Sequence, residues 1–312
     1  MNKRIVTSYE EPDLDGVSSA YAYSEYLNKI EIESDYYIKG TPKKEVGIVC
    51  DLFDINLAGC QEISKEQEVV LVDTNNLEEV PYIKPEQIVE IIDHHSKNKS
   101  SDECKNAKIH IERLGAVATL IAEKFKSDNV KISRESAILL YYGIISNSIN
   151  LKASITDQRD IDMTGWLEEQ CNEITKEKIA EIFTLKSKVE DSELRKEMEA
   201  EVVIDYAGKK LTVAQLEIAN MEEFLRQKED KVVEVLNQVK QEKGLDYIFV
   251  NCIDILNGFN IILTIDDDTI EFLEKKLGYS FENNRYRFDK VVQRKDITKA
   301  IRETLIEKRK IK

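Results

Sequence analysis

Asp13 and Asp15 stand one residue apart in the string PDLDG, Asp73 closes the apolar run VVLVD, and Asp93-His94-His95 closes a second run, VEIID. A fourth stretch, Gly143 to Ser148 (GIISNS), completes the order. Carboxylate oxygens and imidazole nitrogens delivered to the ends of buried strands are the donors that hold a divalent cation, and a cation held there can bind phosphate.

Taken singly, the motifs differ in weight. In PDLDG, Pro12 sets the backbone and Gly16 permits close approach, so both carboxylates can face one cation pair, although an acidic turn with a helix cap is the commoner source of such a string. Asp73 reads equally as a ligand or a strand-end cap. The doublet His94-His95 is harder to explain by packing, because the chain has only 3 His. The third, His110, lies in an alternating strand and reads as structural.

These residues need elements to position them. Arg4 to Ser8 reads as a buried strand and Val17 to Leu27 as a helix, giving a strand-loop-helix unit. Val69 to Val72, Ile88 to Ile92 and Ile109 to Ile111 read as strands; Ala116 to Lys126, Ser133 to Ile145, Asp157 to Gln170 and Glu173 to Val189 read as helices. The expected fold class is α/β, with a mainly parallel sheet and flanking helices in the amino-terminal domain. The mostly charged stretch from Lys186 to Ala200 is taken as the boundary. Beyond it come strands Val202 to Tyr206 and Leu211 to Ile218, a helix from Met221 to Lys243, and a strand pair, Tyr247 to Ile253 and Asn260 to Ile265, joined through Asn257-Gly258. That is a smaller mixed α/β domain.

A length of 312 residues exceeds one ordinary core, so two domains and a cleft are expected. Lys and Arg number 45 against 60 Asp and Glu, a net charge of −15, which argues against nucleic acid and against an anionic membrane. The 5 scattered cysteines form no C-x-x-C pair, which fits a reduced cytoplasm. The start, MNKRIVTSYEEP, carries no apolar signal core, and no apolar run is long enough to span a bilayer, so a soluble protein without membrane partners is expected.

The order PDLDG, VDTN, IIDHH and LLYYGIISNS resembles the DHH phosphoesterase superfamily, and Val291 to Lys295 (VVQRK) is similar to the basic motif of its manganese-dependent inorganic pyrophosphatase and exopolyphosphatase branch. The resemblance implies a DHH metal-binding domain over residues 1–188, a linker over 189–200, and a DHH-associated substrate-binding domain over 201–312. It implies a metal-dependent phosphoesterase that hydrolyses a phosphoanhydride, pyrophosphate or short polyphosphate, at the cleft between domains. By the same carry-over Asp13, Asp15, Asp73, His94 and Asn147 hold metal, with Asp73 bridging and catalytic. His95 is acid or hydrogen-bond donor as well as substrate ligand, and Asp93 stands in or behind the ligand shell. Arg294 and Lys295 bind phosphate, as fork and point charge. The implied cofactor is Mn2+, with Mg2+ or Co2+ as substitutes, as one or two ions that activate water. The implied partner is a phosphate-containing small molecule, and two copies pair as a homodimer through the strand at Lys108 to Glu112.

This chain departs from the family pattern at two ligand positions. Tyr9 stands where the pyrophosphatases have His, and a neutral phenol with a pKa near about 10 is a poor metal ligand. Asn147 stands where the family has Asp, exchanging a carboxylate for an amide. A family lysine that contacts phosphate aligns with Val202, or with Glu201 on a one-residue slip. The alternative function is therefore a catalytically impaired member that binds phosphate, a nucleotide or a protein without efficient turnover. A nuclease or cyclic-dinucleotide phosphodiesterase is disfavoured by the acidic balance.

Overall fold

The computed structural model describes residues 3–198, 200, 203–206 and 208–310. The chain divides into two compact units, one of Met1–Leu151 with Ile155–Ile182, the other of Lys152–Ser154 with Phe183–Lys312.

The first unit runs β1 (Arg4–Thr7), α1 (Leu14–Lys29), β2 (Ser34–Tyr37), α2 (Lys44–Phe53), β3 (Glu68–Val72), β4 (Ile88–Asp93), β5 (Lys108–Ile111), α3 (Val117–Ser127), α4 (Arg134–Asn147) and α5 (Gln158–Gln170). The division falls within α6 (Lys176–Lys186). The five strands lie in the order β2-β1-β3-β4-β5, every pairing parallel. The expected strands are therefore present, joined by an edge strand, β2, that periodicity did not mark. Its sequence SDYY is short and half-polar, which hides it.

Because both faces of a parallel sheet are covered, its central strand is apolar throughout: Val69, Val70, Leu71 and Val72 of β3 are all fully buried. Helix α4 is buried on nearly every side, from Ser136 to Ile145, so it shows almost no amphipathic period. It packs against α1 at Gly143, where an added Cβ would lie 2.5 Å from Ser18 Oγ and 3.4 Å from both Leu14 O and Ala118 Cβ. Gly143→Ala should therefore lose roughly 1–2 kcal/mol in chemical denaturation, overpacking outweighing the helix-propensity gain. An equally stable variant would show that the two helices separate without strain.

The second unit contains α7 (Leu194–Glu197), β6 (Ile204–Tyr206), β7 (Lys209–Ile218), α8 (Met221–Lys243), β8 (Tyr247–Asp254), β9 (Phe259–Thr264), α9 (Asp267–Leu277), β10 (Arg285–Phe288) and α10 (Arg294–Lys310). Its sheet is mixed, in the order β10-β9-β8-β7-β6, with β7 and β8 parallel and the other pairings antiparallel. The stretch expected to link the domains is more than a linker, since Val189, Leu194, Met198 and Ala200 are buried in this unit's core with Leu216, Leu236 and Val250. Among the described residues no helix is long and apolar enough to cross a membrane.

Candidate metal centre

Strand β1 ends beside the sheet's carboxyl edge, and the loop after it delivers Tyr9 and Asp13. Asp13 caps α1, its Oδ1 accepting from the Gly16 N–H at 3.1 Å, while its own N–H donates to the Tyr9 hydroxyl at 3.1 Å. An added Cβ on Gly16 would lie 2.6 Å from Ser8 Oγ and 3.2 Å from Asp73 Oδ2, so glycine is what lets the first turn of α1 reach the end of β3. Burial pushes the Tyr9 phenol far above its ordinary pKa, and the charges of Asp13 and Asp73 push the same way. It stays neutral.

Asp15 is 1 % exposed and already partnered. Its carboxylate accepts from the Val117 and Ala118 N–H groups at 2.8 Å each, at the start of α3, and from Asn147 Nδ2 at 3.0 Å. Burial raises its pKa to about 6, against the lowering effect of His94 and these N–H groups.

Asp73 follows β3 in a left-handed backbone conformation, φ +60°, which Asp and Asn adopt more readily than most residues. Its side chain is buried, and among the described residues no hydrogen bond reaches Oδ1. Burial drives its pKa well up, with the charges of Asp15 and Asp13 adding to the effect.

His94 leaves β4 with Nδ1 at 2.9 Å from the Leu114 carbonyl. A carbonyl only accepts, so Nδ1 carries the proton and Nε2 presents a lone pair. That lone pair lies 3.3 Å from Asp73 Oδ1 and 3.8 Å from Asp15 Oδ2. Asp93 stands behind: its Oδ1 accepts from the His94 and His95 N–H groups at 2.7 and 3.2 Å and from His95 Nδ1 at 2.8 Å, and Oδ2 accepts from Asn75. Burial opposes ionisation of Asp93, but the His95 bond and charge win and its pKa is lowered. The His95 side chain is 58 % exposed. Desolvation pulls its pKa down, and the Asp93 bond with the Asp73 charge outweighs it, so the imidazole titrates above its usual value.

Asn147 ends α4, and its Nδ2 lies 3.0 Å from Asp15 Oδ2, 3.0 Å from the Gly115 carbonyl and 3.3 Å from His94 Nε2. All three neighbours are acceptors, which fixes the amide with its nitrogen toward them. Asn147 thus donates to Asp15 where a carboxylate would repel it.

A cavity of about 310 Å³ opens over this cluster, lined by Tyr9, Asp13, Asp73, Asp93, His95 and Asn147 and extended by Thr74, Asn75 and Glu79. Asp73, His94 and His95 each offer an atom within 4.8 Å of the others. His94 Nε2, met only by the Asn147 amide at 3.3 Å, and Asp73 Oδ1, without a hydrogen bond among the described residues, lie 3.3 Å apart and are a fit for a divalent cation. Asp13, Asp15, Asp73, Asp93, His94, His95 and Asn147 are thus neighbours, although they arise from four stretches of the chain. Arg294 and Lys295 open α10 in the second unit, and Glu201 and Val202 lie outside the described residues. His110 bonds Glu112, which also pairs with Arg159.

Periodicity did not mark the residues that hold these side chains in place. Leu114 and Gly115 act through carbonyls and Val117 and Ala118 through N–H groups, which any residue type can supply. Asn75 could have been read from its place two residues after Asp73, in the turn VDTNN.

Residues 3–144 match the model of the DHH family, N-terminal domain. The manganese-dependent inorganic pyrophosphatase of Bacillus subtilis is 26 % identical over 304 residues, covering 95 % of this chain and 96 % of that one. That of Methanothrix thermoacetophila is 26 % identical over 294 residues, 93 % of this chain and 94 % of that one. In fold, the chain superimposes on a Methanococcus jannaschii protein assigned to the family II inorganic pyrophosphatases, with a TM-score of 0.69 at 22 % identity, covering 96 % of this chain and 99 % of that one. Residues 3–144 are thus a DHH family N-terminal domain, and over nearly its whole length the chain is similar to manganese-dependent inorganic pyrophosphatases.

Proposed function

We propose that this protein is a metal-dependent hydrolase of a phosphoanhydride, with pyrophosphate or short polyphosphate as its substrate class. The observation that carries this reading is Asp73 on the wall of the cavity, its Oδ1 without a hydrogen bond among the described residues and 3.3 Å from His94 Nε2 behind it. Manganese is the metal named for the curated relatives, and a mixed carboxylate and imidazole set suits it, with magnesium or cobalt as substitutes and one or two ions bound. Asp73 and His94 would hold the metal, with Asp13, Asp15 and Asn147 around them. Bound there, a divalent ion supplies an acidified water and neutralises phosphoryl charge.

The protein's own groups do the rest. Asp93 holds His95 through Nδ1, leaving Nε2 to donate to a leaving oxygen, and the raised pKa keeps more of this imidazole protonated near neutral pH. Asn75 braces Asp93 from behind. Arg294 and Lys295 would add charge-assisted hydrogen bonds to phosphate oxygens. The same reading makes the protein a cytoplasmic enzyme, and pairing of two copies along β5 belongs to it by analogy.

The test is phosphate release from pyrophosphate, tripolyphosphate and a nucleotide, with manganese, cobalt and magnesium in turn. Release from the two inorganic substrates, lost in Asp73→Asn, is the expected result. Silence with every metal would sink the reading, and phosphate binding without release would return the impaired-member alternative.

A further inference from the structure

One face of the second unit's sheet is apolar where it meets α9 and α10, with Leu211, Val213, Phe249, Ile262, Phe272, Ile297 and Ile301 packed together. Three amide side chains interrupt this face on adjacent strands: Gln215 on β7, Asn251 on β8 and Asn260 on β9. Gln215 and Asn251 are direct partners in the parallel pairing, and Asn260 sits opposite Ile253, one diagonal step from Asn251 on the same face. Asn251 and Asn260 have no exposure at all. An amide so buried is tolerated only when its hydrogen bonds are made, and apolar side chains would fill the same positions without that demand.

Gln215 Nε2 donates to Glu217 Oε1 at 2.9 Å, and each amide also reaches one short piece of main chain. The Val292 carbonyl accepts from Asn251 Nδ2 at 2.8 Å and from Asn260 Nδ2 at 2.6 Å, and the Val292 N–H donates to Asn260 Oδ1 at 3.1 Å. Two residues on, the Arg294 N–H donates to Gln215 Oε1 at 2.7 Å. The rungs are tied to one another: Asn260 Nδ2 donates to Asn251 Oδ1 at 2.6 Å and Asn251 Nδ2 to Gln215 Oε1 at 3.3 Å. The clamped segment leads straight into Arg294 and Lys295.

We propose that Gln215, Asn251 and Asn260 are positioning residues, an amide ladder that fixes the Val292–Arg294 backbone and so sets where Arg294 and Lys295 present their charges to a phosphate-bearing substrate. This rests on the phosphoanhydride reading above. A covering helix would be anchored well enough by Ile297 and Ile301. The ladder adds a fixed register for the first residues of α10, which matters for a guanidinium that must meet phosphate oxygens in a set geometry.

The test uses the full chain loaded with magnesium and methylenediphosphonate, a pyrophosphate analogue that is not hydrolysed, with affinity read by calorimetry. Arg294→Ala and Lys295→Ala calibrate the loss. Gln215→Met, at a half-buried position, and Asn260→Leu keep side-chain size and remove the bonds. Each should weaken analogue binding about tenfold, as loss of one net hydrogen bond does. Amide exchange at Arg294 and Val292, respectively, should speed up while the rest of the sheet stays protected. Gln215→Glu keeps the acceptor for the Arg294 N–H and should restore affinity. Faster exchange with unchanged affinity would reduce the ladder to a structural feature and overturn the proposal. If Arg294→Ala and Lys295→Ala also bind the analogue normally, or the wild-type protein does not bind it, the phosphate-binding reading itself fails and the ladder's role goes with it.

Discussion

Asp73→Asn should abolish metal binding and phosphate release while making the metal-free protein more stable. Asp73 is 2 % exposed, its Oδ1 has no hydrogen bond among the described residues, and Asp13, Asp15 and Asp93 surround it with like charge. Asn keeps the shape and tolerates the left-handed backbone at φ +60°, so the change removes charge and little else. Relief of a buried, unpaired carboxylate is expected to add about 1–3 kcal/mol to the metal-free protein. Loss of the central ligand should weaken manganese binding by more than the roughly 10–100-fold that outer partners command.

The stability gain has a pH signature. Asp15 titrates at about 6 in the fold against 3.8 for an ordinary Asp, and Asp73 is raised as well. Between those values the folded protein holds protons that the unfolded chain has released, so metal-free stability falls as pH rises from about 4 through 6 and beyond. Asp73→Asn should flatten that slope. Denaturation at several pH values, with and without manganese, measures both effects. A variant with a wild-type slope and a wild-type response to manganese would show that Asp73 is not the centre of the cluster.

Asn147→Asp reverses the logic. Asn147 Nδ2 gives its protons to Asp15 Oδ2 and the Gly115 carbonyl, each at 3.0 Å. A carboxylate there sets acceptor against acceptor in a buried site, and the metal-free protein should lose about 2–4 kcal/mol. Manganese should recover that loss, because the same oxygens become ligands. Combined with Tyr9→His, which replaces a neutral phenol by an imidazole, the variant should bind more manganese per chain by equilibrium dialysis and release phosphate faster. A double variant that is no less stable without metal, and binds no more of it, would mean that these positions do not face the ion.

Much of this was legible in sequence because it is local. Helix α8 occupies Met221–Lys243, the span its periodicity predicts, and β1, β3, β4 and β5 lie where apolar runs mark them. Other elements escaped, β2 and α2 in the first unit and α7, α9, β10 and α10 in the second: SDYY is half-polar, and α2 lacks a side-chain cap at Lys43. The stretch from Val189 to Ala200 reads as solvated because charge dominates its composition, yet its few apolar side chains are buried in the second unit's core.

By itself the sequence determined the donor types, their order along the chain and the class of fold that gathers them at strand ends, since each follows from side-chain chemistry and short-range periodicity. Only the tertiary structure decided what those donors do to one another. Asp15 is saturated by the first N–H groups of α3, His94 turns Nε2 toward the cluster because its Nδ1–H donates to the Leu114 carbonyl, and Asn147 donates where its amide oxygen was expected to bind metal. The physical reason is range: Asp15 and Asn147 are separated by 132 positions, and a hydrogen bond between them leaves no trace in the pattern around either.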